Sequence, residues 1–214
     1  MTACVRDLHV IPMAKSDAAY ICKTQHYLRR RPPMSFAVGL FDAELFGRLL
    51  GVVTFGVPAS RHLMMSACRT HPEFVLELNR LWVHDDCARN TESFFVSRAL
   101  RTLPPRIIVS YADSAYGHRG YIYRALSFKY AGTTDMDRKT PRFDYITPGK
   151  HSRDTSRNGS ASTATKIRRL PKYRYWTVTG TRAEKRRLFR LVTWPSLAWC
   201  DTRNDTMQSV DIGE

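Results

Sequence analysis

Residues 75–113 switch between two sequence patterns, and this alternation constrains the fold more than any other feature of the chain. The run "VLELNRLWV" alternates as a strand does, "TESFFVSRALRTL" is typical of a helix that ends at two prolines, and "RIIVSYAD" is typical of a buried strand. Strands that alternate with helices indicate helices layered on a largely continuous sheet. We therefore predict an α/β fold with a mixed central sheet flanked by helices.

Further segments extend this pattern to about residue 147. A helix is expected over residues 17–28, before a basic cluster and two prolines, and strands are expected at residues 35–42 and 49–56. The stretch "HRGYIYRALSF" predicts a second helix, and "KYAGTT" predicts one more strand. Residues 1–147 are therefore interpreted as one globular domain.

The composition changes after this domain. Residues 148–170 are rich in Ser, Thr and basic residues and predict a flexible linker. Residues 171–200 contain a strand-like stretch, "KYRYWTVTG", and a very basic helical stretch, "RAEKRRLFRLV", and are interpreted as a basic, aromatic strand–helix extension. The polar residues 201–214 are expected to form a frayed tail.

The chain has a formal net charge of +15 and a pI near 10.0, which favours polyanionic partners such as nucleic acid. Aromatic residues between the cations, such as Trp176, either stack on bases or belong to the core of a strand. A membrane surface is the weaker alternative, because the basic helix offers few apolar residues. The cations expected to contact DNA are Arg29, Arg30, Arg168, Arg169, Lys172, Arg174, Lys185, Arg186 and Arg187.

Other sequence features narrow the class of protein. No run approaches eighteen apolar residues, so no membrane span is expected. The N-terminus lacks a signal-peptide pattern, which makes the cytosol the default location. The five cysteines form no CxxC pair and are odd in number, which argues against a disulfide framework and a zinc knuckle.

The helix expected at residues 91–103 begins with "RNTESF", which has two interpretations. Asn90, Thr91 or Ser93 can cap the helix, with Glu92 in its first turn. Alternatively, the free amides at this helix start bind an anionic group of a cofactor.

Four residues outside this helix are candidates for chemistry. Arg80 interrupts an apolar strand and, if buried, needs an anion. Asp113 ends a strand and can accept a proton, ligate a metal, orient His26 or simply form a turn. His26 is a base, a metal ligand or an ordinary surface histidine, and Tyr123 is a general acid or a core aromatic residue.

The stretch "YRALSFKYAG" resembles the Y-x-x-x-G-F element of the GNAT acetyltransferase family, with Ser127 in place of the glycine. The resemblance implies a GNAT-like fold, in which a loop and helix start bind the pyrophosphate of acetyl-CoA. It also implies that Tyr123 protonates the departing thiolate. Residues 76–100 stand where that loop belongs but lack its glycines, which suggests a site for an anion or polar donor.

A second resemblance covers residues 25–176. It rests on eight segments in order: "QHYLRRRP", "GLFD", "GVVTFGVPAS", "LELNRLWV", "RNTESFFVSRALR", "IVSYAD", "HRGYIYRALSF" and "PKYRYW". Together they resemble the Mom family of phage DNA-modification proteins. The resemblance implies that residues 1–147 are a GNAT-like catalytic domain acting in the bacterial host cytoplasm. It implies transfer of a methylcarbamoyl (acetamido-type) group to N6 of adenine in double-stranded DNA, which shields the DNA from restriction.

The Mom resemblance also implies an active site that includes His26 and Tyr27, and an associated iron ion that His26 and Asp113 would bind. Tyr27 and Phe36 are candidates for stacking on the adenine. The donor is acetyl-CoA or another acyl or glycine-derived compound. Two alternatives stay open: an acetyl-CoA-dependent acetyltransferase acting on a protein or small amine, and a non-enzymatic nucleic-acid-binding protein.

Overall fold

A seven-stranded sheet is the framework of the protein. A computed structural model describes residues 8–43, 47–136, 139–146 and 164–199. The strands of the large sheet follow the order β1-β2-β3-β4-β5-β9-β6, and a separate two-stranded sheet contains β7 and β8. Only the β4–β5 pair is parallel among the pairs formed by the described residues. The predicted mixed α/β fold is therefore confirmed.

The bounds of the elements are as follows. The strands are β1 Leu8–Pro12, β2 Phe36–Asp42, β3 Leu49–Gly56, β4 Val75–Val83, β5 Ile107–Asp113, β6 Lys129–Thr133, β7 Phe143–Ile146, β8 Thr165–Arg168 and β9 Lys172–Val178. The helices are α1 Lys15–Thr24, α2 Arg61–Ala67, α3 Thr91–Arg101, α4 Tyr121–Ala125 and α5 Arg182–Leu191, with short 3-10 turns at Pro72–Phe74 and Ser114–Tyr116.

Apolar side chains cover both faces of the large sheet. On one face α3 packs Phe95, Val96 and Ala99 against the strands. On the other face α5 contributes Leu188, which packs in a cluster with Trp176 and the segment that follows the helix. This arrangement explains the sequence of α3, whose apolar residues recur at helical spacing.

The strand predicted within residues 171–200 lies inside the large sheet. β9 pairs antiparallel with β5 over its whole length and with β6 on its other edge. Its residues Tyr175 and Trp176 are buried, so the core interpretation of Trp176 applies. The strand–helix unit predicted for the C-terminal third is present, but β9 completes the sheet of the N-terminal segments.

The predicted linker, residues 148–170, is wrong at its C-terminal end. Thr165–Arg168 form β8, which pairs with β7 from Phe143↔Arg168 to Ile146↔Thr165. The backbone N–H of Arg169 continues the contact by donating to the carbonyl of Arg142 at 2.8 Å. Residues 148–163 and the predicted tail, residues 201–214, lie outside the described residues.

The parallel pair at the centre of the sheet separates before its strands end. β4 and β5 pair from Val75↔Ile107 to Leu78↔Ser110, after which residues 79–83 and 111–113 continue without pairing to each other. A register shift lies at the same point, because Thr54 of β3 pairs with Arg80 and the next residue, Phe55, pairs with Leu78. Asn79 is therefore the extra residue of a β-bulge, which bends β4 away from β5.

The helices of the described part of the chain are all too short or too polar to cross a bilayer.

Replacing the buried Trp176 by alanine tests the interior position of β9. We expect Trp176→Ala to lower the free energy of unfolding by about 3–5 kcal/mol, because the change leaves a large cavity between the sheet and α5. Urea denaturation measures this effect. The matched control is Tyr20→Ala on the exposed side of α1, which should change stability by less than about 0.5 kcal/mol. Equal unfolding curves for wild type and Trp176→Ala would contradict the burial of β9.

Candidate active site

A cavity of about 420 Å³ lies where β4 and β5 separate. Its walls come from residues 78–83 of β4, residues 111 and 112 of β5, residues 117–123, and the side chains of His26, Tyr27 and Glu92. The backbone of β4 beyond Leu78 is not paired to β5, so its edge is available to a ligand. Four of the five predicted catalytic residues, His26, Tyr27, Arg80 and Tyr123, line this cavity.

Arg80 is placed in the cavity by the bulge at Asn79. The Asn79 side chain is held on both sides, because it accepts a hydrogen bond from Thr54 Oγ1 at 2.6 Å and donates one to the Pro33 carbonyl at 2.7 Å. Arg80 Nη1 donates to the Asn79 carbonyl, whereas Arg80 Nε is buried without a partner in the described residues. Burial lowers the pKa of Arg80. The site therefore contains a partly desolvated cation with unused hydrogen-bonding capacity for a ligand.

His26 is buried beside this cation and is neutral at neutral pH. Burial, followed by the nearby charges of Arg80 and His118, lowers its pKa to about 4. The backbone N–H of Leu28 donates to His26 Nδ1 at 3.1 Å. Because Nδ1 accepts this bond, the proton of the neutral ring resides on Nε2. The alternative prediction from the sequence, that His26 is an ordinary surface histidine, is therefore wrong.

Tyr123 lies on α4 and reaches back to the point where β4 and β5 part. Its hydroxyl is 2.7 Å from Ser110 Oγ, and Ser110 Oγ also donates to the Leu78 carbonyl at 2.9 Å. Burial raises the pKa of Tyr123 to about 12, although the bond to Ser110 acts in the opposite direction. The phenol therefore remains protonated at neutral pH and can donate a proton.

Gly120 precedes α4 and allows the helix to approach the sheet. Its φ of +83° is left-handed, and an added Cβ would collide with the Tyr175 ring. The hydroxyl of Tyr175 donates to the neighbouring Arg119 carbonyl at 2.8 Å. These contacts fix the start of α4 and hence the position of Tyr123.

Asp113 does not line the cavity wall but fixes the turn beside it. Its carboxylate accepts a hydrogen bond from the backbone N–H of Ala115 at 3.2 Å and lies 2.5 Å from Lys172 Nζ. The Asp113 carbonyl accepts from the backbone N–H of His118 at 3.1 Å. The turn-forming role predicted as one alternative for Asp113 is thus present. The pKa of Tyr27 is raised mainly by burial and, to a smaller extent, by the negative charge of Asp113.

The predicted iron ligands, His26 and Asp113, do not fit an iron site. No group of three or more His, Cys, Asp or Glu side chains within the described ranges is placed to hold a metal ion. His26 Nδ1 is used by Leu28, and Asp113 is used by Ala115 and Lys172. The chemistry proposed below therefore contains no iron-dependent step.

A second cavity, of about 520 Å³, adjoins the first at the start of α3. Val83, Glu92, Tyr121 and Ile122 line both cavities, so the two spaces are contiguous. Of the predicted cofactor-binding residues, Asn90, Glu92 and Ser93 line the second cavity.

The start of α3 is not closed by a capping side chain. Asn90 stands at the N-cap with a left-handed φ of 70°, and no side-chain cap is formed there by the residues the structure describes. Thr91 is buried, and its hydroxyl donates to the Ala88 carbonyl at 2.6 Å. Ser93 donates to the Asn90 carbonyl at 2.9 Å. The Thr91 N–H donates to the Ala88 carbonyl at 3.2 Å, but Glu92 and Ser93 of the first turn line the cavity, so the positive end of the helix dipole lies beside it and suits a polar or anionic group.

The cations predicted to contact DNA fall into two groups. Arg169 pairs with Asp144, Lys172 with Asp113, and the Arg174 guanidinium lies 5.3 Å from the Trp194 ring. These three are engaged within the protein and are poorly placed for phosphate contacts. The exposed members are Arg29, Arg168, Lys185, Arg186 and Arg187, and Arg30 is half-buried. DNA contact by this exposed group stays a prediction.

Several cavity residues were missed by the sequence interpretation. Asn79, Trp82, Tyr111 and Tyr121 all line the first cavity. An asparagine beside an arginine in an apolar strand was a usable signal for Asn79, because both are costly in a sheet interior. The other three are aromatic and have no feature that distinguishes a cavity wall from a core.

Comparison with known proteins identifies the family. The profile of the Mom protein family matches residues 7–196. The methylcarbamoylase Mom of Escherichia phage Mu is 32% identical over 210 residues, which cover 89% of this chain and 84% of that protein. The chain therefore belongs to the Mom protein family, and the resemblance seen in its eight segments is confirmed.

Solved acetyltransferase structures show a weaker similarity. A GNAT-family acetyltransferase from Bacillus cereus has a TM-score of 0.44 at 13% identity, covering 81% of this chain and 99% of that one. A GNAT-superfamily phosphinothricin acetyltransferase from Sinorhizobium meliloti, in complex with acetyl-CoA, has a TM-score of 0.43 at 12% identity, covering 81% and 89%. Similarity of this size carries no conclusion about the activity of this chain.

The low pKa of His26 predicts a specific pH dependence of stability. Between about pH 6.5 and pH 4 the unfolded chain binds a proton at His26 that the folded chain does not, so the free energy of unfolding falls as the pH falls. His26→Gln should make this dependence shallower. Urea unfolding across this pH range measures it, with His62→Gln on the exposed side of α2 as the control. A His26 ring that titrates near pH 6.5 by NMR would contradict the assignment.

Proposed function

We propose that this member of the Mom family transfers a methylcarbamoyl (acetamido-type) group to N6 of adenine in double-stranded DNA, in the cytoplasm of the bacterial host. The modified DNA would resist host restriction. The observation that carries the proposal is the 32% identity to a methylcarbamoylase over 89% of the chain. That the chain is a transferase follows from the same match.

The two contiguous cavities suit a two-substrate transfer. The cavity at the start of α3 can hold the donor, because the positive end of the helix dipole lies beside it and stabilises an anionic or polar group. The cavity between β4 and β5 can hold the adenine amine. Val83, Glu92, Tyr121 and Ile122 line the junction, where the reacting atoms would meet.

Tyr123 can handle both protons of such a transfer. The N6 lone pair forms a bond to the electrophilic carbon of the donor, the bond from that carbon to its leaving group breaks, and the leaving group keeps the electron pair. Tyr123 gives its proton to the leaving group and then takes the proton that N6 loses. The Ser110 hydroxyl, 2.7 Å away, can turn its single proton from the Leu78 carbonyl to the transient phenolate and so stabilise it.

Arg80 supplies the charge of the site. Its guanidinium is desolvated and has a buried Nε without a partner in the described residues, so it is suited to bind an oxygen of the donor that becomes more negative during transfer. The neutral His26 beside it offers an Nε2–H donor rather than a second cation. Both side chains line the cavity between β4 and β5, so they are assigned to polarising the reactive end of the donor where it extends from the α3 cavity toward the adenine amine.

The β7–β8 hairpin is the element best placed to hold DNA near this site. Ser114 Oγ donates to the Pro171 carbonyl at 2.5 Å, and Lys172 pairs with Asp113, so the base of the hairpin touches the turn beside the cavity. All four residues of β8 are exposed, including Lys166 and Arg168. In contrast, the first turns of α5 follow the far end of β9, about 20 Å along the strand.

Nucleoside mass spectrometry of DNA from cells that express the chain tests the proposed reaction. Wild type should produce an adenine nucleoside with the mass of the added group. Tyr123→Phe should reduce the yield by about 100-fold or more, because it removes the proton donor while keeping the ring. Tyr20→Phe, at an exposed position on α1, is the control and should retain full yield.

Two outcomes contradict the proposal. One is unmodified adenine when folded wild-type protein is present. The other is acetylation of proteins or small amines from acetyl-CoA while DNA stays unmodified, which would establish the ordinary acetyltransferase. Retained yield in Tyr123→Phe would instead remove Tyr123 from the mechanism and leave the reaction intact.

Matched charge reversals test which basic element holds DNA. Lys166→Glu with Arg168→Glu should weaken binding to duplex DNA. The slope of log Kd against log salt concentration should become shallower by about two or more, because two phosphate contacts are lost. Lys185→Glu with Arg186→Glu changes the charge equally on α5 and should have a smaller effect. Fluorescence anisotropy at several salt concentrations measures both. A larger loss for the α5 pair would place the DNA on the opposite side.

A further inference from the structure

Four aromatic rings form a continuous group at the mouth of the first cavity. Tyr27 stacks on His26 with ring centroids 4.3 Å apart and an interplanar angle of 28°. The Tyr27 ring also contacts Tyr116, with ring centroids 4.5 Å apart, and packs edge-on against His118, with ring centroids 5.5 Å apart. Tyr27 and His118 line the cavity, and Tyr116 extends the group outward. We call Tyr27, Tyr116 and His118, with His26 behind them, the aromatic platform.

The outer part of this platform is exposed to solvent. Tyr27 is 44% exposed and Tyr116 is 54% exposed, while His26 is buried. Adjacent exposed aromatic rings leave unusually large apolar area in water, and such contiguous patches often mark binding surfaces. The platform is open where it leads into a cavity, so a flat ligand can reach it from solvent.

The backbone holds the platform in place. Asp113 caps the turn Ser114–Tyr116 through the N–H of Ala115, and Gly117 follows with a left-handed φ of +71°. The N–H of His118 donates back to the Asp113 carbonyl at 3.1 Å. Tyr116 and His118 therefore project from a closed loop at the end of a central strand, so little conformational entropy is lost when a ligand stacks on them.

Cations lie next to the platform. Arg30 is close enough to the cavity residue Arg80 to lower its pKa, whereas Arg29 Nη1 donates to the Thr24 carbonyl at the end of α1. Arg119 follows His118 and lines the cavity. Aromatic faces flanked by guanidinium groups match a nucleobase and the phosphates on either side of it.

We propose that the aromatic platform receives an adenine base extruded from DNA, with Tyr116 as its principal outer stacking surface. This inference rests on the proposed function and names two residues, Tyr116 and His118, that the sequence interpretation did not assign to stacking. An enzyme that modifies N6 within a duplex must take the base out of the stack, and a stacking partner repays part of that cost. The stacked base would project its N6 edge into the cavity that contains Arg80 and Tyr123.

The geometry favours Tyr27 over Phe36, the other candidate from the sequence. Phe36 is half-buried in β2 and packs against the core. The rings of Tyr27 and Tyr116 are too close to admit a base between them and are tilted by 54°, so the base stacks on the exposed face of Tyr116 with its edge toward Tyr27. A DNA base is the occupant we assign because Arg80 and Arg119 line the cavity beside the platform and the chain is strongly basic.

Binding to paired DNA duplexes tests the platform without the donor. One duplex carries an adenine opposite an abasic site, so that the adenine is already unpaired; the other has abasic sites on both strands at that position. Wild-type protein should bind the first duplex about 5- to 100-fold more tightly, which is the range expected for stacking of one base on aromatic side chains. Tyr116→Ala should reduce this preference to near unity without changing affinity for the abasic duplex.

Three further variants separate stacking from folding. Tyr116→Phe and Tyr116→Trp keep a flat ring and should retain the preference, and Tyr20→Ala is the control for loss of an exposed tyrosine. An equal loss of affinity for both duplexes in Tyr116→Ala would overturn the inference, as would a preference that survives the loss of the ring. A further result would also overturn the inference: adenosine monophosphate binds wild type but not Tyr116→Ala, while Tyr116→Ala keeps the wild-type preference between the two duplexes. That result would assign the platform to a free nucleotide.

The outcome is separable from that of the proposed reaction. Modified adenine in cells, together with no adenine preference in binding, would reject the platform and leave the transfer reaction standing. An adenine preference that depends on Tyr116, together with unmodified nucleosides, would support the platform and reject the reaction.

Discussion

The separation of β4 from β5 after Leu78 and Ser110 is the constraint on which the site depends. A parallel pair inside a sheet is normally buried on both faces and leaves no room for a ligand. Here the Asn79 bulge bends one strand, and the side chain of Asn79 is locked by Thr54 and Pro33 so that the bend persists. The opening exposes a strand edge, points Arg80 into the gap and admits Tyr123 from α4.

Burial gives this opening its electrostatic character. Arg80 is a partly desolvated cation, His26 is neutral because burial and then the nearby charge of Arg80 lower its pKa, and burial raises the pKa of Tyr123 to about 12. The cavity therefore combines one positive charge with neutral proton donors. Such a set can stabilise negative charge that develops on a bound group during transfer.

The sequence predicted the local elements of the centre well. The strands at residues 49–56 and 75–83 and the start of α3 match the structure, because an apolar run, an alternating pattern and a group of capping residues mark them in turn. The pairing of β9 with β5 could not be predicted, since a strand pattern does not identify its partner. The residues of β8 predict a linker, because all of them are exposed and their sequence therefore shows no apolar alternation. Arg80 was identified from its cost in a strand, whereas Tyr116 had no local signal, because its role depends on Tyr27 lying 4.5 Å away.

Asp113 connects the aromatic platform to the β7–β8 hairpin, the two parts of the molecule that we propose to bind DNA. It fixes the turn that presents Tyr116 and His118, and through Lys172 it holds the strand that follows the β7–β8 hairpin. Ser114, within the same turn, contacts the chain at Pro171. A displacement of the hairpin by bound DNA would therefore act directly on the turn that holds the aromatic rings. DNA binding and base capture are thus expected to be coupled through a few short contacts around Asp113.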